Sequence, residues 1–455
     1  MKPAAHPALT PPLTRRAIAR QAAPIILATA SVPLLGMVDT AVIGHYGSAA
    51  ELGALALGAL LFNFLYWGFG FLRMATTGFV AQAHGSGQVM ALRAAVVRPL
   101  LLGLGIGLLL WGLHAPVMAL FHLAVDAGPA VAARSSDYVA ARIWGAPAAL
   151  ALYALCGTLI GLGQGRALLA VQLVLNGLNA VLDIWLAGHL GLGLRGIGYG
   201  TAVAEWVSAL LALWLVWRCL GSSPLPTGRW LAWSLLAQPA AWRAMWTANA
   251  DLLLRTVGLL AGFAWFARLG GQLGDTVLAA NHLLLQLVAF SAFFLDGFAH
   301  VAEARVGQAL GRGDRIALQR GVRLSSELAV LSACLLALAM WLVGPLVLGV
   351  LSSLPVVVAQ ASAHLPWAAL YVLVSVAAFQ LDGICIGATA TAPMRRSVLW
   401  ALLAFVLLAW PAQALWGNHG LWAAMVLYVL LRGLFLWPVW PRLLAAVADT
   451  SPGAD

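Results

Sequence analysis

The sequence predicts an all-α integral membrane protein, with twelve transmembrane helices in two six-helix lobes related by a pseudo-twofold axis along the membrane normal. Three observations lead there. Of the 455 residues, 62% are hydrophobic and 9% charged, against about 25% charged in a soluble domain. The apolar stretches are long and unbroken, and about 20 residues suffice to cross a hydrocarbon core about 30 Å thick. A set of short motifs also recurs at an offset close to half the chain. A membrane barrel would instead read as roughly ten-residue alternating strands.

The first span, 21–45, follows a tail (residues 1–20) with three arginines but no short apolar core and cleavage site, so it reads as a retained helix and not a removed signal peptide. Pro24 and Pro33 free backbone carbonyls and let this helix bend. Spans 53–78, 98–119, 138–162, 168–190 and 197–219 complete the first lobe, assigned to 21–220. The stretch 221–243, which opens with Ser222, Ser223, Pro224 and Pro226, is the longest connection and reads as an interlobe linker. Spans 245–268, 277–301, 325–350, 364–388, 397–416 and 420–440 form the second lobe, assigned to 244–442, ahead of a tail at 443–455.

Charge tests this count independently. Eighteen of the 25 basic side chains fall on the tails and the even-numbered loops, and only Arg134, Arg195 and Arg268 lie on the opposite side. The positive-inside rule then puts both termini in the cytoplasm. That bias, facing anionic headgroups, explains the net charge of +10 without nucleic acid as a partner.

Within the repeat, Val80, Gln82, Ala83, Gly85 and Gly87 recur as Val306, Gln308, Ala309, Gly311 and Gly313, a shift of 226. The same shift carries Gly157, Ile160 and Gly161 onto Gly383, Ile386 and Gly387, and Gly193 and Gly196 map onto Gly417 and Gly420 at 224. Six is an even number of crossings, so the second half enters the membrane in the orientation of the first. The repeat is parallel, with a binding site expected near the midplane between the lobes.

Ionisable groups inside spans are costly and usually face a cavity or a partner. Asp39 sits in the bendable first helix, where a carboxylate moving between dry and wet surroundings can take up and release a proton. A purely structural, hydrogen-bonded carboxylate is the other reading. Asn176, Asn179 and Asp183 make a polar stripe on the fifth span, suited to a proton network, a cation or helix–helix adhesion. Asp251 and Arg255 are spaced i, i+4 in the seventh span, which favours an ion pair between them, either structural or part of a cation site. Arg73 and Asp296 fall at matching positions of the two halves at a shift of 223, with opposite charge, and are expected to face each other near the axis. Glu303 and Asp382 complete the set.

Other chemistries are excluded. Cys156, Cys219, Cys334 and Cys385 lie far apart with no CxxC, and suit neither disulfides nor a metal. The histidines show no metal spacing, and many of the 20 tryptophans sit at span ends, as interfacial belts do. Lys2 is the only lysine, so no phosphate-binding Walker motif exists. HExxH is absent and no carboxylates cluster, so the chain reads as a non-enzyme without a cofactor.

The segments MVDTAVIGHYG (37–47), FLRMATTGFVAQAHG (71–85), NADLLLRT (249–256), LAANHLLLQL (278–287), LDGFAHVAEARVGQALGRGD (295–314) and FQLDGICIGAT (379–389) carry a resemblance that runs from Pro24 through the twelfth span. On them the chain resembles the multidrug and toxic compound extrusion (MATE) transporters, and within these the DinF-like branch. The resemblance implies a central cleft between the lobes and antiport across the bacterial inner membrane. Bulky, often cationic, apolar organic compounds would leave in exchange for protons, or for sodium, through a monomer surrounded by lipids. It implies that Asp39 is the cation-coupling carboxylate, with Asn179, Asp183 and Thr201 as the polar network around it. Asp382 matches an acidic position that contributes to a cation site in some sodium-coupled relatives, while the family's seventh helix usually has a glutamate where this chain has Asp251. Proton coupling is expected from the titratable network of the first lobe. Sodium-coupled antiport is one alternative. A lipid-headgroup flippase of the wider superfamily is another, and would need a more cationic cleft, for which Arg73 and Arg255 are the candidates.

Overall fold

The computed structural model describes residues 13–124, 128–221 and 233–448, and among these the ordered elements are all helical. The expected linker from 222 to 232, with its serines and prolines, lies outside the described residues, as do the ends of both tails. Ten long helices come first: α1 (Arg15–Tyr46), α2 (Ala50–Gly85), α3 (Val89–Gly112), α4 (Val131–Gly161), α5 (Gly165–His189), α6 (Gly193–Gly221), α7 (Pro239–Gln272), α8 (Asp275–Arg312), α9 (Arg315–Leu351) and α10 (Pro355–Gly387). The remaining stretch, Thr391–Leu436, is broken at Gly417, whose φ of 58° and ψ of −137° are non-helical. The Ser397 hydroxyl donates to the Arg432 carbonyl at 2.7 Å, so the chain doubles back and gives α11 (391–416) and α12 (418–436). Twelve crossing helices result, as the hydropathy pattern predicts.

Helices outrun the apolar spans because they extend past the hydrocarbon. The 38 residues of α8 reach about 57 Å. The span expected at 98–119 is displaced: α3 ends at Gly112 and a separate helix, His114–Ala124, follows. The arginines near its start do not end α3, because their guanidinium groups reach backbone carbonyls, Arg93 that of Leu220 at 3.3 Å and Arg98 those of Leu235 and Leu236. Both α1 and α2 are interrupted. The first breaks at Ser31, two residues before Pro33, and the second at Phe69–Gly70.

Helices α1–α6 pack as one lobe and α7–α12 as the other. The 226-residue repeat is a repeat of geometry. Gly87 and Gly313, at φ 70° and 68°, terminate α2 and α8, while Gly163 and Thr389, at φ 73° and 54°, follow α4 and α10. A threonine in that left-handed region costs about 1–2 kcal/mol, and its hydroxyl is held by the Ala388 carbonyl and the Gln82 amide. Gly157 packs on the Arg73 carbonyl as Gly383 packs on that of Ala299. Arg73 therefore corresponds to Ala299, and the expected equivalence with Asp296 is three residues, nearly one helical turn, out of register.

The lobes meet through the half of α1 up to Ala30 and the half of α2 from Phe71, which contact α7, α8, α9 and α10. The opposite halves of the same two helices pack mainly inside the first lobe. The meeting halves lie at the arginine-rich side, and a reciprocal clasp closes them. Gln82 Nε2 donates to the Gly387 carbonyl and Gln308 Nε2 to the Gly161 carbonyl, both at 2.9 Å. Gly85 abuts the Gln308 carbonyl and Gly311 that of Gln82, too closely for a Cβ on either glycine.

Candidate functional site

In the first lobe, three helices bring polar side chains into one buried pocket. Asp39 comes from the half of α1 beyond the Ser31 break, Asn179 and Asp183 from α5, and Thr201 from α6. Asp183 is the last α-helical residue before a π-helical turn, Ile184–His189, in α5, and such wide turns often mark functional positions. Gly200 leaves room for the Asp183 carboxyl, since a Cβ there would meet Oδ1 at 2.5 Å. Asn179 Nδ2 donates to the Thr201 hydroxyl at 3.1 Å, and Thr201 passes its own proton to the Ile197 carbonyl at 2.9 Å. Asp39 and Asp183 are neighbours, close enough for each to act on the other and for Asn179 to act on both. Asp39 Oδ1 and both Asp183 oxygens are buried without a hydrogen-bond partner among the described residues, so two carboxyl groups stand close together in a dry pocket, where like charges are costly.

Asn176 stands apart, one turn earlier, where its Nδ2 donates to the Ser31 carbonyl at 2.9 Å. It thus takes a carbonyl exposed where α1 breaks, and ties the hinge of α1 to α5.

On the other side of Asp39, the charge of Arg142 from α4 acts on both Asp39 and Glu205 of α6. Arg142 lies 4.6 Å over the Phe62 ring and donates to the Tyr138 hydroxyl at 2.5 Å. The Glu205 carboxylate lies against the backbone of Gly145. Glu205, Arg142, Tyr138 and Phe62 were not singled out from the sequence. Glu205 was accessible by the rule applied to the others, as a lone carboxylate in an apolar span four residues after Thr201. The pocket therefore gathers three carboxyl groups around one guanidinium.

The second lobe is different, because Asp251 and Asp382 each meet an arginine. Asp251 receives Arg395 at 2.5 Å and the Thr391 hydroxyl at 2.8 Å. Asp382 is held between Arg255 and Arg432, the latter at 3.0 Å. The expected Asp251–Arg255 pair does not form: the two side chains share a face of α7, but that face meets α11 at the first and α10 at the second, and both partners come from other helices. Asp251 with Arg395, and Asp382 with Arg255 and Arg432, thus form two separate ion-paired groups in the second lobe.

Between the lobes, Arg73 of α2 approaches Glu303 of α8 at 3.9 Å, and Glu303 also meets His300 Nδ1 at 3.0 Å. Asp296 feels the charges of Arg73 and His300, but the ion pair expected with Arg73 goes to Glu303, in keeping with the corrected register. No group of histidine, cysteine and acidic side chains suited to a metal ion is present among the described residues.

Comparison with known proteins places this architecture. The MatE family model matches residues 24–185 and 256–410. The chain is 37% identical over 429 residues to DNA damage-inducible protein F of Escherichia coli (strain K12), covering 94% of this chain and 92% of that protein. It is 28% identical over 425 residues to the probable multidrug resistance protein NorM of Xanthomonas campestris pv. campestris, covering 89% of each. A crystal structure of a MATE protein in its bent conformation superposes with a TM-score of 0.85 at 16% identity, over 96% of this chain and 97% of that one, which is a likeness of fold. With a family match over most of its length and a relative this similar from end to end, the chain belongs to the MatE family of membrane transporters and is not an enzyme.

Proposed function

We propose that the protein is a secondary active multidrug efflux antiporter, exporting bulky, often cationic, apolar compounds in exchange for protons. The named roles of its relatives support export of drugs. Proton coupling rests on one observation above the others, the two neighbouring carboxyls of Asp39 and Asp183, buried in one pocket. Two carboxyls buried side by side favour uptake of a proton over two adjacent charges, and the neighbouring guanidinium of Arg142 opposes a metal cation in the same pocket.

The arrangement suggests how the coupling runs. The lobes are shut at the arginine-rich side, which the positive-inside rule assigns to the cytoplasm, so the pocket takes its proton from outside. Protonation removes a negative charge from α1 just beyond its break at Ser31, where Asn176 holds the hinge. A shift of α1 relative to α5 then biases the lobes toward opening inward, where the proton leaves. Because Asp251 and Asp382 are already neutralised by arginines, the second lobe serves as scaffold. Arg73 and Arg255, the cationic candidates for the central cleft, are likewise paired with carboxylates, which removes the two residues on which the flippase reading relied. The protein works as a monomer in the bacterial inner membrane, with both termini cytoplasmic.

The test is efflux of a fluorescent lipophilic cation from vesicles under an imposed pH or sodium gradient. Flux driven by the pH gradient and lost in Asp39→Asn supports the reading. Flux driven by sodium alone would overturn it.

A further inference from the structure

A cavity of about 1150 Å³ opens at the arginine-rich side, away from the carboxyl pocket. Arg16 and Arg20 of α1, Arg166 at the start of α5 and Arg305 of α8 line it, and no carboxylate does. Arg16, Arg20 and Arg166 have no ion-pair partner among the described residues, and Arg305 gives both its Nε and Nη2 hydrogens to the neutral Gln21 Oε1, at 3.1 and 2.9 Å. Topology requires arginines on this side of the membrane, but it does not require them to converge. Arg16 and Arg20 stand at i and i+4, a like-charge spacing that costs a helix stability unless something offsets it. A second contribution of the same sign comes from α5, whose first turn also lines the cavity and whose N-terminus carries no side-chain cap. Uncapped N–H groups and the helix dipole there favour an anion.

We propose that this cavity binds the phosphate of an anionic lipid headgroup. Four cationic side chains and a helix N-terminus match a phosphate bearing several acceptor oxygens, while Ala17 and Pro24 line the same cavity and offer the glycerol and upper acyl carbons an apolar wall. The site joins both lobes: Gln21 donates to the Gly163 carbonyl of the first lobe at 3.4 Å and accepts from Arg305 of the second. Gly163 lies two residues after Gly161, whose carbonyl closes the clasp with Gln308. A bound headgroup therefore favours the clasped state over the open one by whatever affinity differs between them.

Binding is read on the full-length protein in neutral detergent by native mass spectrometry, titrating phosphatidylglycerol against phosphatidylcholine and, separately, inorganic phosphate. The cavity variant is Arg16→Gln/Arg20→Gln/Arg166→Gln. The control, Arg315→Gln/Arg320→Gln/Arg396→Gln, removes equal charge elsewhere on the same side. All six side chains are exposed, so folding is not at stake. Phosphatidylglycerol should bind the wild type and the control alike and the cavity variant at least about tenfold more weakly, and should slow amide exchange at residues 82–88 and 306–313 in the wild type and the control but not in the cavity variant. Equal loss in the control, no preference over phosphatidylcholine, or saturation by inorganic phosphate alone would each overturn the proposal.

Discussion

Arg142 is the residue on which the electrostatics of the first lobe turn. It is the one guanidinium acting on Asp39, Asp183 and Glu205 alike, and its removal leaves buried carboxyls facing one another without a cation. Breaking one side of a buried ion pair costs about 3–5 kcal/mol, so Arg142→Ala should destabilise the protein by about that much in detergent unfolding. Adding Glu205→Gln to that variant should restore part of the loss, and an additive double variant would refute a direct link between the two. The sequence made Asp39, Asp183, Asn179 and Thr201 legible through their polarity and motif context, and the structure brings those four together. It did not make their neighbours legible to the same degree. Which cation faces a carboxylate depends on how separate helices dock, and the i, i+4 rule sees only one helix, which is why Asp251 was matched with Arg255 while its actual partner is Arg395 and that of Arg255 is Asp382.

At the level of helices, the clasp between α2 and α8 turns on glycines whose α-hydrogens face a carbonyl of the other lobe. A methyl at Gly85 or Gly311 collides with the Gln308 or Gln82 carbonyl while each lobe itself is undisturbed at that point. Gly85→Ala and Gly311→Ala should therefore each disfavour the clasped state and raise labelling of a cysteine placed at Ser86 from the arginine-rich side, with similar size in both variants. Unchanged labelling in either would mean that the helices yield at no cost. Helix positions were readable from hydropathy because the membrane imposes a minimum apolar length, but ends were not, since α3 and α8 continue into water or against other helices on hydrogen bonds that composition does not reveal. The repeat at 226 was readable because the same backbone contacts demand the same small residues in each half.

For the whole molecule, the division of labour between the lobes gives a third expectation. Asp382→Asn strips the shared partner from Arg255 and Arg432 and should cost about 3–5 kcal/mol of stability, yet the fraction of protein that remains folded should still move its substrate on a pH gradient. Asp39→Asn should do the reverse, leaving the unfolding midpoint within a few degrees and abolishing pH-driven flux. If Asp382→Asn folded normally but no longer responded to the pH gradient, the second lobe would have to be counted in the coupling.

The clasp has one further consequence. Gln82 meets Gly387 while Gln308 meets Gly161, and Gly85 meets Gln308 while Gly311 meets Gln82: position i touches j, and the copy of j touches the copy of i. This is the isologous contact by which two identical subunits form a twofold dimer, here made within a single polypeptide. Identical subunits must carry identical interiors, so neither could keep Asn179 and Asp183 in an acid-rich pocket while its twin held Phe405 and Ala409, their counterparts at the shift of 226, in apolar core. Joining the two subunits in one chain lifts that constraint, and the contrast between the carboxyl pocket of the first lobe and its apolar counterpart in the second is the divergence that fusion permits.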